Sequence, residues 1–320
     1  MVPAERSILK AQFAGAVAMA GALCLLAGTA FRFVPTEAFP GALARILDSL
    51  SPWFLALALL AAAMAAALGV RRTGFGLGVL AGLALGQLAL QHRALSLPLA
   101  PERAADIRVL FFNALGGNAA FGDRIVSAVL ATDADIVVIA EGKAIYPALA
   151  RLRAHYAFVS PCAFEACELV VATRIPPKRF WRLSLNPVWD NRYAVAEMHT
   201  AGGAEFHLAA SHLAKPWLVG ISEAELARLT AQYDWLPGPV VALGDFNAAP
   251  WSLGMRRLLR RTGLRALRVP LPTWPARAGA LGVPIDHVLV RDGARVVRVQ
   301  PFGAGLNSNH RGFVADIALP

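Results

Sequence analysis

Three long apolar segments without a charged residue constrain this sequence more than any other feature. They fall at about residues 11–31, 50–70 and 73–92, and each is at least 20 residues long. A helix needs about 20 residues to cross a hydrocarbon core of about 30 Å. The alternative, three core helices of a soluble protein, is disfavoured because none of the segments has a polar face. We therefore predict three transmembrane helices.

The charged residues are distributed unevenly along the chain. Only 16% of all residues are charged, against about 25% in an average soluble domain. Residues 1–100 hold seven of the 31 Lys and Arg residues and three of the 21 Asp and Glu residues. Low charge content argues against a soluble nucleic-acid-binding protein, despite the net charge of +10. We divide the chain into a membrane anchor (1–93), a linker (94–106) and a soluble domain (107–320).

Basic residues beside the apolar segments predict how the chain is oriented. Arg6 and Lys10 precede the first segment, and the pair Arg71–Arg72 lies between the second and the third. Short flanks rich in Lys and Arg stay in the cytoplasm, which places the loop at 33–51 on the other side. Three crossings then deliver the soluble domain to the side opposite the cytoplasm.

A cleaved signal peptide is the alternative for the first apolar segment. Small residues at 27–30 suit a cleavage site, although the segment is long for this role. Without it, the new amino terminus would begin outside and two crossings would return the chain there. The predicted side of the soluble domain is therefore the same in both cases.

Two of the three cysteines lie in the soluble domain. Cys162 and Cys167 are separated by four residues, whereas Cys24 lies within the first apolar segment. Outside the cytoplasm, conditions favour disulfide formation, and we expect Cys162 and Cys167 to form a disulfide. The alternative is a pair of free or buried thiols, and metal binding is disfavoured because no further cysteine lies nearby.

Short apolar runs dominate the soluble domain. Strands are predicted at 108–112, 135–140, 169–173, 193–199, 206–211, 240–243, 285–290, 295–299 and 313–319, and helices at 123–132, 146–154, 222–235 and 252–262. Several strands follow one another without a helix between them. This order favours a β-sandwich with helices on its outer faces over a doubly wound parallel sheet.

Polar residues of catalytic type follow or begin the predicted strands. They are Asn113, Glu141, His212, Asp245, Asn247, Asp286 and His310. If the strands share a sheet, these side chains gather at one edge. Carboxylate and amide oxygens suit a hard divalent cation, and together with imidazoles they suit attack on a phosphate group. The alternatives are turn-forming roles for the amides and Asp245, and an ordinary strand-end histidine for His212.

These residues, in this order and spacing, resemble the motifs of the endonuclease/exonuclease/phosphatase superfamily. The most specific part is the sequence VALGDFN at 241–247, followed by Ile285, Asp286 and His287. The resemblance covers about residues 106–320, and with three apolar segments ahead of it the chain is similar to the membrane-anchored bacterial branch. It implies an α+β fold, a four-layer α/β/β/α sandwich preceded by three transmembrane helices.

The resemblance implies a metal-dependent hydrolase acting on phosphoesters. Glu141 matches the principal Mg²⁺ ligand, for which Mn²⁺ is an alternative, and Asn113 matches the amide beside it. Asp245 and Asn247 match the pair that orients the attacking water and binds the phosphoryl group. These expectations agree with the chemistry, because a metal polarises a phosphoryl oxygen.

Histidines complete the site that the resemblance implies. His310 matches the histidine at the scissile phosphate, with Asp286 holding its imidazole, and His212 resembles a second active-site histidine that also binds substrate. Arg192 is expected to approach the anionic substrate. His287 is expected to point to the opposite face, because neighbouring residues of a strand alternate.

One position departs from the family pattern. The family usually ends in Ser-Asp-His, whereas this chain has Ser308, Asn309 and His310. We expect Asn309 to ligate the metal weakly through its carbonyl oxygen, but it supplies no negative charge. The alternative function is therefore a catalytically silent module that binds a phosphorylated ligand at the membrane.

The resemblance and the charge pattern together give the functional expectation. We expect a membrane-anchored, nuclease-like or lipid-phosphodiesterase-like hydrolase of phosphodiesters or phosphomonoesters. Its expected location is the bacterial inner membrane, with several spans and a periplasmic catalytic domain. Its expected partners are a phosphoester substrate of unknown identity and the lipid bilayer, and the sequence indicates no protein partner.

Overall fold

The chain forms two units in a computed structural model that describes residues 3–35, 39–163 and 166–320. One unit is built on Met1–Ala94, and the other on Leu95–Pro250 and Gly254–Pro320. The first unit is helical, whereas the second contains the β-strands of the described residues.

Three helices make up the first unit: α1 (Pro3–Thr29), α2 (Phe39–Ala67) and α3 (Arg71–Ala94). Each contains a stretch that is long and apolar enough to cross a membrane. Helix α2 begins well before the predicted residue 50, because a helix extends through isolated charged residues once each added residue gains a hydrogen bond. Most of the predicted loop at 33–51 is therefore helical.

Helices α2 and α3 approach each other closely through small residues. A Cβ atom added to Gly74 of α3 would lie 2.6 Å from the backbone oxygen of Ala62 in α2. Small residues allow such close backbone contact between apolar helices, where lipid tails give no hydrophobic drive for association. Gly74 thus has a packing role, whereas a Cβ atom added to Gly76, Gly82 or Gly86 would meet no atom within 4 Å.

The strands of the second unit are short, and they are numbered from the segment that follows α3. In chain order they are β1 (Ser96–Leu97), β2 (Ile107–Asn113), β3 (Ile136–Ala140), β4 (Phe158–Val159), β5 (Leu169–Thr173), β6 (Arg179–Leu183), β7 (Tyr193–His199), β8 (Glu205–His212), β9 (Val240–Asp245), β10 (Ala266–Leu267), β11 (Asp286–Arg291), β12 (Arg295–Phe302) and β13 (Gly312–Ala318). The helices are α4 (Gly122–Leu130), α5 (Leu149–His155), α6 (Ile221–Tyr233) and α7 (Leu253–Thr262).

These strands form two larger sheets and one separate pair. The six-stranded sheet has the order β12-β13-β2-β3-β5-β4, and the five-stranded sheet has the order β11-β9-β8-β7-β6. Strands β2 and β3 are parallel, as are β8 and β9, whereas the other neighbours within these two sheets are antiparallel. Strands β1 and β10 pair separately.

The two larger sheets pack face to face, and helices cover their outer faces. Val109 and Phe111 of β2 belong to the core shared with the five-stranded sheet. The intervening residue Leu110 faces the other way and packs with residues of α4 and α5. On the five-stranded sheet, outward residues such as Ala242 pack with residues of α6 and α7. The predicted sandwich with outer helices is confirmed.

The structure differs from the predicted elements at the margins of the second unit. The predicted linker at 94–106 contains β1, which adds to β10 rather than serving only as a tether. Helix α5 starts at Leu149, after a 3-10 turn at Gly142–Ala148, instead of at residue 146. Two-residue strands such as β1 and β4 contain too few positions to show an alternating pattern, so the sequence gives no signal for them.

Candidate active site

Strand ends place the polar residues at one edge of the sandwich. Parallel strands β2 and β3 end side by side, with Asn113 opposite Ala140, so Glu141 comes directly after that edge. In the other sheet, His212 ends β8 opposite Asp245 of β9. Antiparallel strand β11 begins at this edge, where Asp286 lies opposite Asp245.

Glu141 is held in a fixed orientation just beyond β3. Its backbone has a φ of +53°, an uncommon left-handed conformation for a residue with a side chain. Its Oε2 atom accepts a hydrogen bond from the Gly116 N–H at 2.7 Å, and its Oε1 atom accepts one from Asn113 at 3.2 Å. Burial raises the pKa of Glu141, but these hydrogen bonds and the charge of His212 outweigh it, so the net pKa is lowered. The carboxylate is therefore ionised at neutral pH.

Asn113 links the two sheets through its buried amide. Its Nδ2 donates to Glu141 and also to Asp245 Oδ2 at 3.1 Å, and its Oδ1 accepts from the Leu115 N–H at 3.1 Å. Because one amide contacts both carboxylates, it sets the distance between them. Asn113 is therefore a positioning residue for Glu141 and Asp245.

Asp245 and Asn247 form a tight loop after β9. Asp245 Oδ1 accepts a hydrogen bond from the Asn247 N–H at 2.9 Å, and Asn247 Nδ2 donates to the Leu213 carbonyl at 2.8 Å. Asn247 has a left-handed φ of +50°, which asparagine tolerates better than most residues. Burial and the nearby Asp286 raise the pKa of Asp245.

Gly244 explains why this motif requires a glycine before Asp245. A Cβ atom at this position would lie 2.4 Å from the Ser211 carbonyl oxygen of the neighbouring strand. We expect Gly244→Ala to lower the free energy of unfolding by at least about 1–3 kcal/mol, the usual cost of overpacking.

Chemical denaturation of the full-length protein, followed by far-UV circular dichroism, measures the Gly244→Ala effect. Gly202→Ala is the matched control, because the nearest atom to its added Cβ is Thr200 Oγ1 at 3.7 Å, an ordinary contact. Equal stability of the two variants would contradict the close approach of β8 and β9.

His310 is buried and paired with a carboxylate. Its Nδ1 lies 3.0 Å from Asp286 Oδ2, and its Nε2 lies 3.8 Å from Asp245 Oδ2. Burial lowers the pKa of His310, but Asp286 and Asp245 more than compensate and raise it to about 9. The imidazole is therefore protonated at neutral pH and can donate a proton from Nε2.

Ser308 anchors the segment that carries His310. Its hydroxyl donates to the Asn113 carbonyl at 2.7 Å and accepts from the His310 N–H at 3.1 Å. Asn309, between them, is exposed, and its backbone carbonyl accepts a hydrogen bond from Ala276. The structure thus brings Ser308 and His310 to the site, whereas the predicted metal ligand Asn309 has its side chain in solvent.

Glu168 is a site residue that the sequence analysis missed. Its Oε2 lies 3.3 Å from His212 Nδ1 and 3.0 Å from Arg192 Nε. Burial raises the pKa of Glu168, but the contacts with His212 and Arg192 lower it by more. The available signal was a carboxylate directly before strand β5, which starts at this edge because it is antiparallel to β3.

His212 belongs to the central group of side chains at this edge, whereas Arg192 packs beside that group. His212 Nε2 lies 3.9 Å from Glu141 Oε1 and 3.9 Å from Asp245 Oδ2, so this imidazole joins the central group. Arg192 is buried, pairs with Glu168 and stacks over Trp189 at 4.5 Å from the ring centre. The Arg192 charge is thus paired with Glu168, and the contact of Arg192 with substrate stays a prediction.

Two further sequence expectations concern residues beside the site. His287 lies on the outer face of its strand, with Nε2 2.9 Å from the Ala248 carbonyl, as alternation predicts. Cys162 and Cys167 are joined as a disulfide, and Cys24 is free. The Cys167 carbonyl accepts a hydrogen bond from the Lys143 N–H at 3.0 Å, so this segment adjoins the loop that carries Glu141.

The donor atoms at this edge suit a hard divalent cation. Carboxylate oxygens of Asp245 and Asp286 lie within 4.8 Å of each other and of His310. Because the His310 imidazole is protonated, the carboxylates are the groups that can hold a cation. The carboxylate of Glu141 is ionised and joined to this group through Asn113. Carboxylate and amide oxygens are the ligands that Mg²⁺ prefers in proteins. The residues present therefore fit such an ion.

The sequence as well as the geometry identifies the family. The sequence profile of the Endonuclease/Exonuclease/phosphatase family matches residues 110–310, which include every site residue described above. The chain belongs to the endonuclease/exonuclease/phosphatase family. Members of this family usually hydrolyse phosphoesters with the help of a divalent metal ion. Among curated proteins, none matches the sequence.

Solved structures share the fold of the second unit at low sequence identity. D. rerio TDP2 complexed with a single-strand DNA product has a TM-score of 0.55 and 14% identity, covering 66% of this chain and 98% of that chain. The human Nocturnin catalytic domain with bound sulfate has a TM-score of 0.54 and 18% identity, covering 69% and 96%. Sphingomyelinase C from Streptomyces griseocarneus has a TM-score of 0.50 and 17% identity, covering 67% and 99%. These similarities establish the fold alone.

Proposed function

We propose that the protein is a membrane-anchored, divalent-metal-dependent phosphoesterase. The observation that carries this proposal is the convergence of Glu141, Asn113, Asp245 and the Asp286–His310 pair at one edge of the sandwich. Structural roles alone do not require two buried carboxylates and a protonated imidazole within a few ångströms. Charged groups are buried together at such cost mainly where they act on a ligand.

Glu141 and Asp245 are the proposed metal-holding carboxylates, with Asn113 fixing their separation. The bound Mg²⁺ or Mn²⁺ would polarise a phosphoryl oxygen and offset the negative charge that develops during hydrolysis. Glu141 is suited to this role because it is ionised and held by Gly116 in one orientation.

The remaining residues are proposed to bind and orient the phosphoester. His310 donates a hydrogen bond from Nε2 to a phosphoryl oxygen, while Asp286 holds the opposite side of its ring. Asn247 offers an amide at the same edge, and His212 faces the site with Glu168 behind it. Positioned donors of this kind stabilise charge that develops on the transferred group.

Metal removal tests the proposal directly. We expect the full-length protein in lipid nanodiscs to hydrolyse bis(p-nitrophenyl) phosphate or p-nitrophenyl phosphate in the presence of Mg²⁺. Treatment with EDTA should abolish turnover, because the negative charge of the substrate then has no counterion at the site. Added Mg²⁺ or Mn²⁺ should restore turnover. The measurement is p-nitrophenolate release, and turnover that is unaffected by EDTA would contradict metal dependence.

A second candidate function rests on Asn309. This residue replaces an aspartate of the family pattern and supplies no charge, which favours a catalytically silent module that binds a phosphorylated ligand. Such a module would bind Mg²⁺ and a phosphate ester but show no metal-stimulated turnover on nucleic acid, phospholipid, sphingomyelin or small diesters. The same substrate series also identifies the substrate class of an active enzyme.

The proposed location is the bacterial inner membrane, with the catalytic unit in the periplasm. Three helices of sufficient length and the basic pair Arg71–Arg72 at the start of the third support this topology. We expect an alkaline phosphatase fusion after residue 100 to be active in a bacterial host, because that enzyme requires the oxidising periplasm. Inactivity of this fusion, with activity of a β-galactosidase fusion at the same point, would place the unit in the cytoplasm.

A further inference from the structure

A cavity of about 730 Å³ lies on the outer face of the five-stranded sheet. Its floor is a row across three strands, in which Arg179 of β6 faces Glu197 of β7, and Glu197 faces His207 of β8. This row lies near the end of β7 and the start of β8, whereas the candidate active site lies at the other end of these strands. The cavity is thus separate from the phosphoesterase site and has the size of a small-molecule site.

The loop after α6 forms a wall of this cavity. Helix α6 ends at Tyr233, and Trp235, Pro237 and Pro239 of the following loop line the space. The loop is fixed to the sheet, because the His207 N–H donates to the Pro239 carbonyl at 2.9 Å. One wall of the cavity is therefore a loop whose backbone is hydrogen-bonded to the sheet.

The charged groups of the cavity neutralise one another. Arg179 donates from Nε at 2.8 Å and from Nη2 to the carboxylate of Glu197, and Lys178 pairs with Glu205. His207 carries little positive charge at neutral pH, because burial lowers its pKa. A charged ligand would have to compete with these ion pairs. The lining consequently favours an uncharged ligand.

One exposed indole ring supplies a flat apolar surface. The Trp235 side chain is 81% exposed, although large aromatic residues are usually covered in proteins. Trp181 lines the same cavity, with the Arg179 guanidinium 5.9 Å from its ring centre. An exposed tryptophan beside hydrogen-bonding groups suits a ligand with one apolar face and polar edges.

We propose that this cavity binds a neutral oligosaccharide. The C–H face of a sugar ring can pack on an indole, and its hydroxyl groups both donate and accept hydrogen bonds. Glu197 and Glu205 offer acceptors and Arg179 offers donors, so each type of hydroxyl interaction finds a partner. A wholly apolar ligand would remove water from these ion pairs without replacing its hydrogen bonds, at a cost in free energy. This binding activity goes beyond the proposed hydrolysis.

Titration with two neutral sugars tests the proposal. Maltotetraose and the β-1,4-linked tetramer of N-acetylglucosamine are added to the full-length protein in nanodiscs, since a maltoside detergent would itself present a sugar. Saturation-transfer NMR of the sugar protons and tryptophan emission report binding. We expect saturable binding of at least one sugar, weakened at least about tenfold by Trp235→Ala, as for a central aromatic contact.

Matched variants decide whether binding occurs at this cavity. Trp217→Ala removes another exposed tryptophan, whose ring lies under the Lys215 ammonium group, and should leave sugar affinity unchanged. Trp235→Phe should retain more affinity than Trp235→Ala, because it keeps an aromatic face. Equal thermal unfolding of all variants shows that each is folded. The proposal would be overturned if neither sugar showed saturable binding, or if binding survived Trp235→Ala. An equal loss of sugar affinity in Trp217→Ala and Trp235→Ala would also overturn it.

Discussion

Replacing Glu141 with glutamine is expected to lower metal-stimulated hydrolysis of bis(p-nitrophenyl) phosphate by about a thousandfold, equivalent to about 4 kcal/mol of transition-state stabilisation. Glutamine retains an oxygen that accepts a hydrogen bond from Gly116 but loses the negative charge that a divalent cation requires. The fold should therefore persist while metal affinity falls. Steady-state rates measured across a series of Mg²⁺ concentrations separate the loss of metal binding from the loss of turnover.

Glu102→Gln provides the control for this substitution. Glu102 is an exposed carboxylate in the segment between α3 and β2, so the same chemical change occurs away from the site. We expect wild-type rates and wild-type Mg²⁺ dependence for Glu102→Gln. Wild-type behaviour of Glu141→Gln as well would exclude Glu141 as a metal ligand.

His310→Gln is expected to lower kcat by about a hundredfold to ten-thousandfold, the range for loss of a positioned proton donor. The substitution removes the imidazolium that faces Asp245 and Asp286, and with it the hydrogen bond that we propose to the phosphoryl group. The effect should fall mainly on kcat, because the interaction strengthens as charge develops on the transferred group. Steady-state assays of p-nitrophenolate release measure kcat.

Mg²⁺ affinity, measured by calorimetry, distinguishes this role from a structural one. We expect His310→Gln to bind Mg²⁺ with an affinity close to that of the wild-type protein. His155→Gln is the control, because His155 is an exposed histidine at the end of α5. A His310→Gln variant with wild-type kcat would contradict the proposed contact with the phosphoryl group.

The strand pattern made much of this fold predictable. Long apolar strands such as β2 and β9 have buried residues on both faces, and their ends are marked by Asn113 and Asp245. Because the carboxyl ends of parallel neighbours meet at one edge, the sequence order predicts that Asn113 lies beside the end of β3 and that His212 lies beside Asp245. Short strands at sheet margins, such as β4, gain their conformation from a neighbour and leave no periodic pattern.

Contacts made across the two sheets were not predictable in the same way. Glu168 directly precedes β5, and nothing in its local sequence indicates its contact with His212 of the other sheet. Arg192 has the charge expected of a substrate ligand, and only the folded chain shows that it also pairs with Glu168. Similarly, Asn309 lies between two inward residues, and the turn directs its side chain to solvent. Pairing partners far apart in sequence decide each of these cases.

The most direct test of the central claim compares wild-type and Glu141→Gln proteins, purified identically in nanodiscs, on bis(p-nitrophenyl) phosphate with and without Mg²⁺. We expect turnover only for the wild-type protein with Mg²⁺, and near-background rates in the other three conditions. Equal rates for both proteins, or no turnover by the wild-type protein on this diester and on the nucleic acid, phospholipid and sphingomyelin substrates, would contradict a metal-dependent phosphoesterase.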